Sequence, residues 1–457
     1  MPTHDPPDFR STWKGFLKNT NKLKFQTLQS DIIRAIVVSS ANYNPNVPLA
    51  AGAPDPTPFW WLLFHLEMLI LAPTAKDDRD GESIALTISE RLAALRSGDI
   101  AALYNAAMQV SSWSPPTPRP ERPGNRAAQE AADNDNFRVA AARVCNDNTM
   151  ATIDTNNISS VTKLYPPPLP PLGHPPPSAS QFQRHRMPGD VCANIRKGSK
   201  NKGAGVNTDS IDVFMDLVHL NIAEVNDDIQ QLFDLVYNAH VPPSIHQFFT
   251  DTYLFLLYKD PEDLSRLRPI GIPSAIRRIM GTHIARFFQK RFANTLIPYN
   301  FAVGIDGGMD FIIKSMQLSI EKYIQIPQSK GDNPTRAAVF VDLVNMFNTV
   351  SREELLDVIR EHYPELVPLA SMLYAKPGAV FYRWEDGSWR TIFMKEGVNQ
   401  GCPLSALFAA LVLDRVLRPL DALLRQRAAA RVASRDFGDD GYGSITHLFG
   451  YVDDVSC

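Results

Sequence analysis

His447 to Cys457 reads HLFGYVDDVSC, in which strand-type residues run into two adjacent carboxylates, Asp453 and Asp454, before the apolar Val455. Alternation of this kind marks a pleated strand, and adjacent acids repel each other unless cations share them. Taken alone, the stretch fits a solvated turn and a metal-holding turn equally well. A second acidic strand end lies about 110 residues upstream, in AVFVDLVNMF (338–347), where an apolar strand delivers Asp342 to its C-terminal edge. A lone aspartate in that position is more often a cap or turn residue than a ligand. Two such ends in one domain change the reading, because hard divalent ions take carboxylate oxygens and a two-metal phosphoryl-transfer centre draws its acids from separate strands.

Between the two acidic ends lies EGVNQGCPLSALFAALVLDRVL (396–417), where Gly401 and Pro403 mark a tight turn that opens an apolar helix over 404–417. Upstream, 212–220 and 229–239 have the spacing of amphipathic helices, 253–258 of a strand, and 275–292 of a basic helix. Residues 337–341 form an apolar strand into Asp342, 351–363 resume helical spacing with Ser351 as N-cap, and 446–452 form a strand. Strands and helices in this order predict an α+β domain over 206–457.

The blocks between these landmarks resemble the reverse transcriptases, most closely those of non-LTR retrotransposons and group II introns. FVDLVNMFNTVSREEL (340–355) is similar to the first catalytic block of that family, YVDD (451–454) to the second, and NQGCPLS (399–405) to the block between them. NKGAGVNTDSI (201–211), LFLLYKDPEDLSRLRPIGIPSAIRRI (254–279) and FAVGIDGGMDFI (301–312) resemble its upstream blocks in the same order. The resemblance implies a polymerase right hand, of which this chain carries fingers and a partial palm, and RNA-templated DNA synthesis by two-metal nucleotidyl transfer.

That resemblance further implies a set of site residues. Asp342, Asp453 and Asp454 would be catalytic and, with the Leu343 carbonyl, would hold two Mg²⁺ ions, with Mn²⁺ as a substitute. Lys259 and Arg268 would contact the incoming triphosphate, a role suited to an ammonium and a planar guanidinium. Phe347 would be the gate against a nucleotide 2′-hydroxyl, although it fits a core position equally. Gln400 and Gly401 would lie along the nascent base pair. Arg277, Arg278 and Tyr451 would face nucleic acid, and the partners implied are an RNA template, a DNA primer and dNTPs. From Lys259 to Arg291 there are eight Lys/Arg against three Asp/Glu, a local basic excess suited to a template backbone. Asn348 departs from the aspartate of many family members at a position not expected to bind metal. Measured against the family, nothing after Asp454 corresponds to a thumb, so the chain is expected to be an incomplete fragment.

The rest of the chain sets limits. A formal net charge of −3 does not advertise a nucleic-acid binder, so any basic surface is local. Four cysteines without paired spacing suggest neither a disulfide framework nor a zinc site, and an intracellular compartment follows as the expectation. The longest apolar run, Phe59 to Ala72, contains His65 and Glu67 and is shorter than the roughly 20 residues a span needs, so it reads as a buried helix, not a membrane anchor. Residues 1–111 read as a helical N-terminal region of unknown role, with Ile84, Ile88, Leu92 and Leu95 on one face. Residues 112–205, rich in Pro and Asn and including PPPLPPLGHPPP (166–177), read as a disordered linker. Two other readings stay open: an RNA-dependent RNA polymerase, disfavoured by YVDD in place of GDD, and a domesticated nucleic-acid-binding scaffold without turnover.

Overall fold

The computed structural model describes residues 17–72, 81–108, 153–168, 185–198, 205, 209–258, 267–325, 340–433, 449–451 and 454–456. Four helices come first: α1 (Asn19–Ser40), α2 (Thr57–Leu71), α3 (Gly81–Arg96) and α4 (Ile100–Met108). The apolar run at 59–72 is helical and buried almost all round, as its composition predicts. Ile84, Ile88, Leu92 and Leu95 are all buried, and Gly98, at φ 88°, takes the left-handed conformation that ends α3. Among the described residues no helix is long and apolar enough to cross a membrane.

These helices share one hydrophobic core with the chain after residue 205. The Phe64 ring meets Phe248 and Phe249 at centroid distances of 5.1 and 5.2 Å, and Lys22 pairs with Asp216 at 2.8 Å. Inside the same junction Glu67 accepts hydrogen bonds from the Ser210 backbone N–H at 2.5 Å and its hydroxyl at 3.0 Å. The N-terminal region is therefore bonded to the rest by contacts that composition could not reveal.

Two segments fall inside the expected linker, and both are packed. Residues 153–168 carry α5 (Ile158–Lys163), and 185–198 carry α6 (Val191–Arg196), whose N-cap Asp190 accepts from the Ala193 N–H at 2.9 Å. Ile153 bridges Trp384 in parallel, and Val161 is buried beside Leu254, Leu256 and Tyr382. Met187, Val191, Cys192 and Ile195 belong to the main core. The linker reading of 112–205 thus does not extend over these segments, and its remainder lies outside the described residues. Six-residue helices leave no periodicity to read and are held by tertiary packing, not propensity.

The remainder alternates helices with short strands: α7 (Ile211–Val218), α8 (Ala223–Tyr237), α9 (Gln247–Thr250), β1 (Thr252–Tyr258), β2 (Leu267–Ile272), α10 (Ala275–Phe287), α11 (Gln289–Leu296) and α12 (Gly308–Gln325). There follow β3 (Phe340–Asp342), α13 (Met346–Thr349), α14 (Arg352–His362), α15 (Val367–Tyr374), β4 (Gly378–Arg383), β5 (Trp389–Met394), α16 (Ser405–Ala433), β6 (Phe449–Tyr451) and β7 (Asp454–Ser456). The expected basic helix over 275–292 divides at Phe288, and the β4–β5 hairpin is an addition to the sequence reading. One mixed sheet has the order β2-β1-β4-β5, with β1 and β4 parallel; a second has the order β3-β7-β6. The architecture is α+β.

Glu67 offers a direct test of the N-terminal junction. Replacing it with Ala strands two buried donors of Ser210, so unfolding stability is expected to fall by about 2–4 kcal/mol in a urea titration. A change below about 0.5 kcal/mol, the size of ordinary surface substitutions, would contradict this account.

Candidate functional site

The three-stranded sheet brings the acidic segments together. β3 and β7 are antiparallel, with Phe340 opposite Ser456, Val341 opposite Val455 and Asp342 opposite Asp454. β7 also pairs with β6, with Tyr451 opposite Asp454, so β7 is the central strand. Opposed Cα atoms in such a ladder lie about 4.5–5.5 Å apart. Asp342 and Asp454 are thus direct register partners. Residues 452 and 453 join β6 to β7; Asp453 itself lies outside the described residues, as does Lys259.

After β3 the chain turns sharply. Leu343 is half-buried against the core and Val344 is exposed, while Asn345 adopts φ 56° and ψ 32°, a left-handed conformation that Asn tolerates better than most residues. The Asn345 side chain secures that turn on both sides: Nδ2 donates to the Leu164 carbonyl at 2.8 Å, and Oδ1 accepts from Asn348 Nδ2 at 3.0 Å. Met346 is buried, and Phe347 is half-buried with its ring against the main core. Ser351 caps α14 by accepting from the Glu354 N–H at 3.2 Å, as its place in the sequence predicts.

The segment 396–405 docks on this turn through its backbone. Gly397 N–H donates to the Val350 carbonyl at 2.8 Å, and Val398 N–H to the Phe347 carbonyl at 2.6 Å. Gly397 has φ 78°, and a Cβ there would lie 2.4 Å from Asn348 backbone atoms, so only glycine fits. The next turn is fixed by Asn399. Its Oδ1 accepts from the Gly401 N–H at 3.1 Å and its carbonyl from the Ser405 hydroxyl at 2.5 Å, while its buried Nδ2 has no hydrogen-bond partner among the described residues. Gly401 is pressed onto β2, where an added Cβ would stand 1.8 Å from the Gly271 carbonyl oxygen. Gln400 and Gly401, both half-buried, are therefore held between β2 and the Phe347 turn.

The basic residues divide differently from expectation. Arg268 is exposed on β2, two strand residues before Ile270. Arg277 is 3% exposed; its Nη1 donates to the Phe249 carbonyl at 2.9 Å and its Nη2 to the Tyr374 hydroxyl at 3.2 Å. Arg278 is 9% exposed and faces Asp209, Asp212 and Glu67. Both were expected to face nucleic acid; both are instead buried, Arg277 as an internal cross-link and Arg278 among acidic neighbours, because the start of α10 is enclosed. Arg291 pairs with Glu365. The basic surface is accordingly smaller than the charge count from Lys259 to Arg291 implies. Tyr451 is placed on β6 beside the acidic positions.

Sequence reasoning passed over Asn345, Arg352 and Asn399. All three stood inside quoted motifs, but nothing local announced their tertiary partners. No protein-family model matches the chain, and no curated protein matches it.

Two outcomes follow from this packing. Gly401→Ala must drive the turn off β2, at an expected cost of about 1–3 kcal/mol or more in a denaturant titration; an unchanged midpoint would contradict the contact. Burial pushes the Asp209 carboxyl up to about 6, while Arg278 and the Ala275 N–H hold it from going higher. Its folded pKa thus lies above the ordinary value of about 3.9, so the folded state holds the proton more tightly. This contribution to stability is greatest below about pH 4, falls by up to about 3 kcal/mol as pH rises to about 6, and is flat above. Asp209→Asn is expected to remove that slope when urea midpoints are compared across pH, and an identical slope in the variant would refute it.

Proposed function

We propose that this chain carries the fingers and the catalytic palm segments of an RNA-directed DNA polymerase, a nucleotidyltransferase that extends a DNA primer on an RNA template with dNTPs. The observation that carries the reading is the register pairing of Asp342 with Asp454, which brings the two acidic segments that resemble the family's catalytic blocks into one sheet. Support also comes from the docking of the third block, NQGCPLS, between β2 and the Phe347 turn.

The donor set suits hard divalent ions, since Asp342 and Asp454 occupy opposed positions, Asp453 adjoins Asp454 in sequence, and carboxylate oxygens are the donors such ions prefer. Asp342, Asp453, Asp454 and the Leu343 carbonyl would hold two Mg²⁺ ions, for which Mn²⁺ would substitute. Bound there, the ions would supply charge neutralisation and a lowered pKa for the attacking 3′-hydroxyl. The chain's own groups do the orienting. Arg268, with Lys259, neutralises the triphosphate; the Phe347 ring excludes a 2′-hydroxyl; Gln400 and Gly401 form the floor beneath the nascent pair. Fixing these groups before substrate arrives converts orientation into rate, since little reorganisation is then left for the reaction.

Primer extension tests the proposal. The full chain with oligo(dT)-primed poly(rA), dTTP and Mg²⁺ is expected to lengthen the primer, and Asp453→Asn to lower the rate at least about a hundredfold, the scale of losing one group that stabilises transition-state charge. Absence of extension by the wild-type chain, equal extension by the variant, or a preference for NTPs over dNTPs overturns the proposal.

A further inference from the structure

Arg352 follows the cap residue of α14 and is 6% exposed. Its guanidinium turns inward. Nε donates to the Gly397 carbonyl at 2.9 Å and Nη1 to the Lys376 carbonyl at 3.0 Å, while the guanidinium carbon lies 5.6 Å from the centre of the Tyr374 ring. The Arg352 backbone N–H donates to the Glu396 carboxylate at 2.9 Å. A buried cation is tolerated only with partners of this kind.

The partners lie where the proposed site is assembled. Gly397 and the adjacent Val398 are the residues whose N–H groups bond to Val350 and Phe347. Gln400 and Gly401 follow within the same turn, against Gly271 of β2. Arg277 also approaches the Tyr374 ring, at 5.5 Å from its centre, and donates to its hydroxyl. Tyr374 is therefore approached by two guanidinium groups, one on α10 and one on α14. Burial draws the Arg352 guanidinium below its ordinary pKa, whereas Tyr374 and Glu396 hold it up. The partners of Arg352 itself, Gly397, Lys376, Tyr374 and Glu396, are not among the residues assigned to substrate.

We propose that Arg352 is a positioning residue that holds the Gln400–Gly401 turn and the Phe347 backbone in one register and thereby sets the preference for deoxynucleotides. This inference rests on the polymerase reading of that turn and of Phe347. Lysine cannot replace the arginine, because an ammonium lacks the forked donors that reach two separate carbonyls. Displacing the turn relative to Phe347 loosens the pocket around the sugar without removing any carboxylate.

The test is single-nucleotide incorporation by the full chain on oligo(dT)-primed poly(rA), with dTTP and UTP titrated separately for wild type and Arg352→Lys. The variant is expected to raise KM for dTTP about tenfold and to narrow the dTTP over UTP preference about tenfold, a loss on the scale of sub-ångström misplacement, with kcat for dTTP within a few-fold of wild type. A role confined to stability would lower the active fraction, and hence apparent kcat, at unchanged KM and unchanged preference, and that result overturns the inference. If Arg352→Lys does not fold, as judged by its circular dichroism melt, the same quantities are read in Glu396→Gln, which withdraws the carboxylate charge facing the guanidinium. A shift of both in the same direction supports the inference, and wild-type values overturn it. A wild-type chain that extends no primer overturns the polymerase reading and this inference together. Normal extension with unaltered selectivity in the variant overturns this inference alone.

Discussion

The pairing of three residues of β3 with three of β7 is the constraint on which the candidate site depends. Side chains on a strand alternate between faces, so a slip of one residue would move Asp342 out of register with Asp454 and exchange faces along the whole pair. β7 has β3 on one side and β6 on the other, which fixes that register twice. The pairing joins segments about 110 residues apart, so most of the intervening chain can be seen as the support that makes so short a ladder possible.

That support works through backbone contacts closed by residues without bulk and by buried charge. Gly397 and Gly401 let two chain segments approach more closely than any side chain would permit. Arg277 and Arg352 then span the remaining gaps, each reaching carbonyls far away in sequence and sharing Tyr374. Such groups are costly to desolvate and strongly destabilising when a partner is lost, so they specify one arrangement more than they add net stability. Glu67 and Ser210 do the same at the N-terminal junction, where residues from 17–72 and 81–108 join the core that continues after residue 205.

The legible elements were those with local signatures. The buried helix at 59–72, the capped helix after Ser351 and the strand ending at Asp342 follow from apolar runs, a hydroxyl cap and a carboxylate edge. Arg277 and Arg278 were misread because a charged pair at a helix start looks solvated until Phe249, Tyr374 and Asp209, distant in sequence, are seen to enclose it. The β4–β5 hairpin escaped because β4 is buried at both Phe381 and Tyr382, without the alternation that reveals a half-exposed strand. Segments 153–168 and 185–198 were hidden by their Pro- and Asn-rich surroundings. For the site itself, the carboxylates and the glycine turn were readable as motifs, but their supports at Asn345, Asn399 and Arg352 exist only in three dimensions.

The central claim is that the segments around Asp342 and Asp454 hold divalent ions in common, and iron-directed cleavage tests it without requiring turnover. With Fe²⁺ in place of Mg²⁺, together with ascorbate and peroxide, hydroxyl radicals cut the backbone near the bound ion, and the fragments can be mapped by mass spectrometry. The account predicts cuts clustered around both Asp342 and Asp454, suppressed by excess Mg²⁺ and lost from both segments in Asp342→Asn. Cuts confined to one segment, or cuts at both that persist in Asp342→Asn, would contradict it.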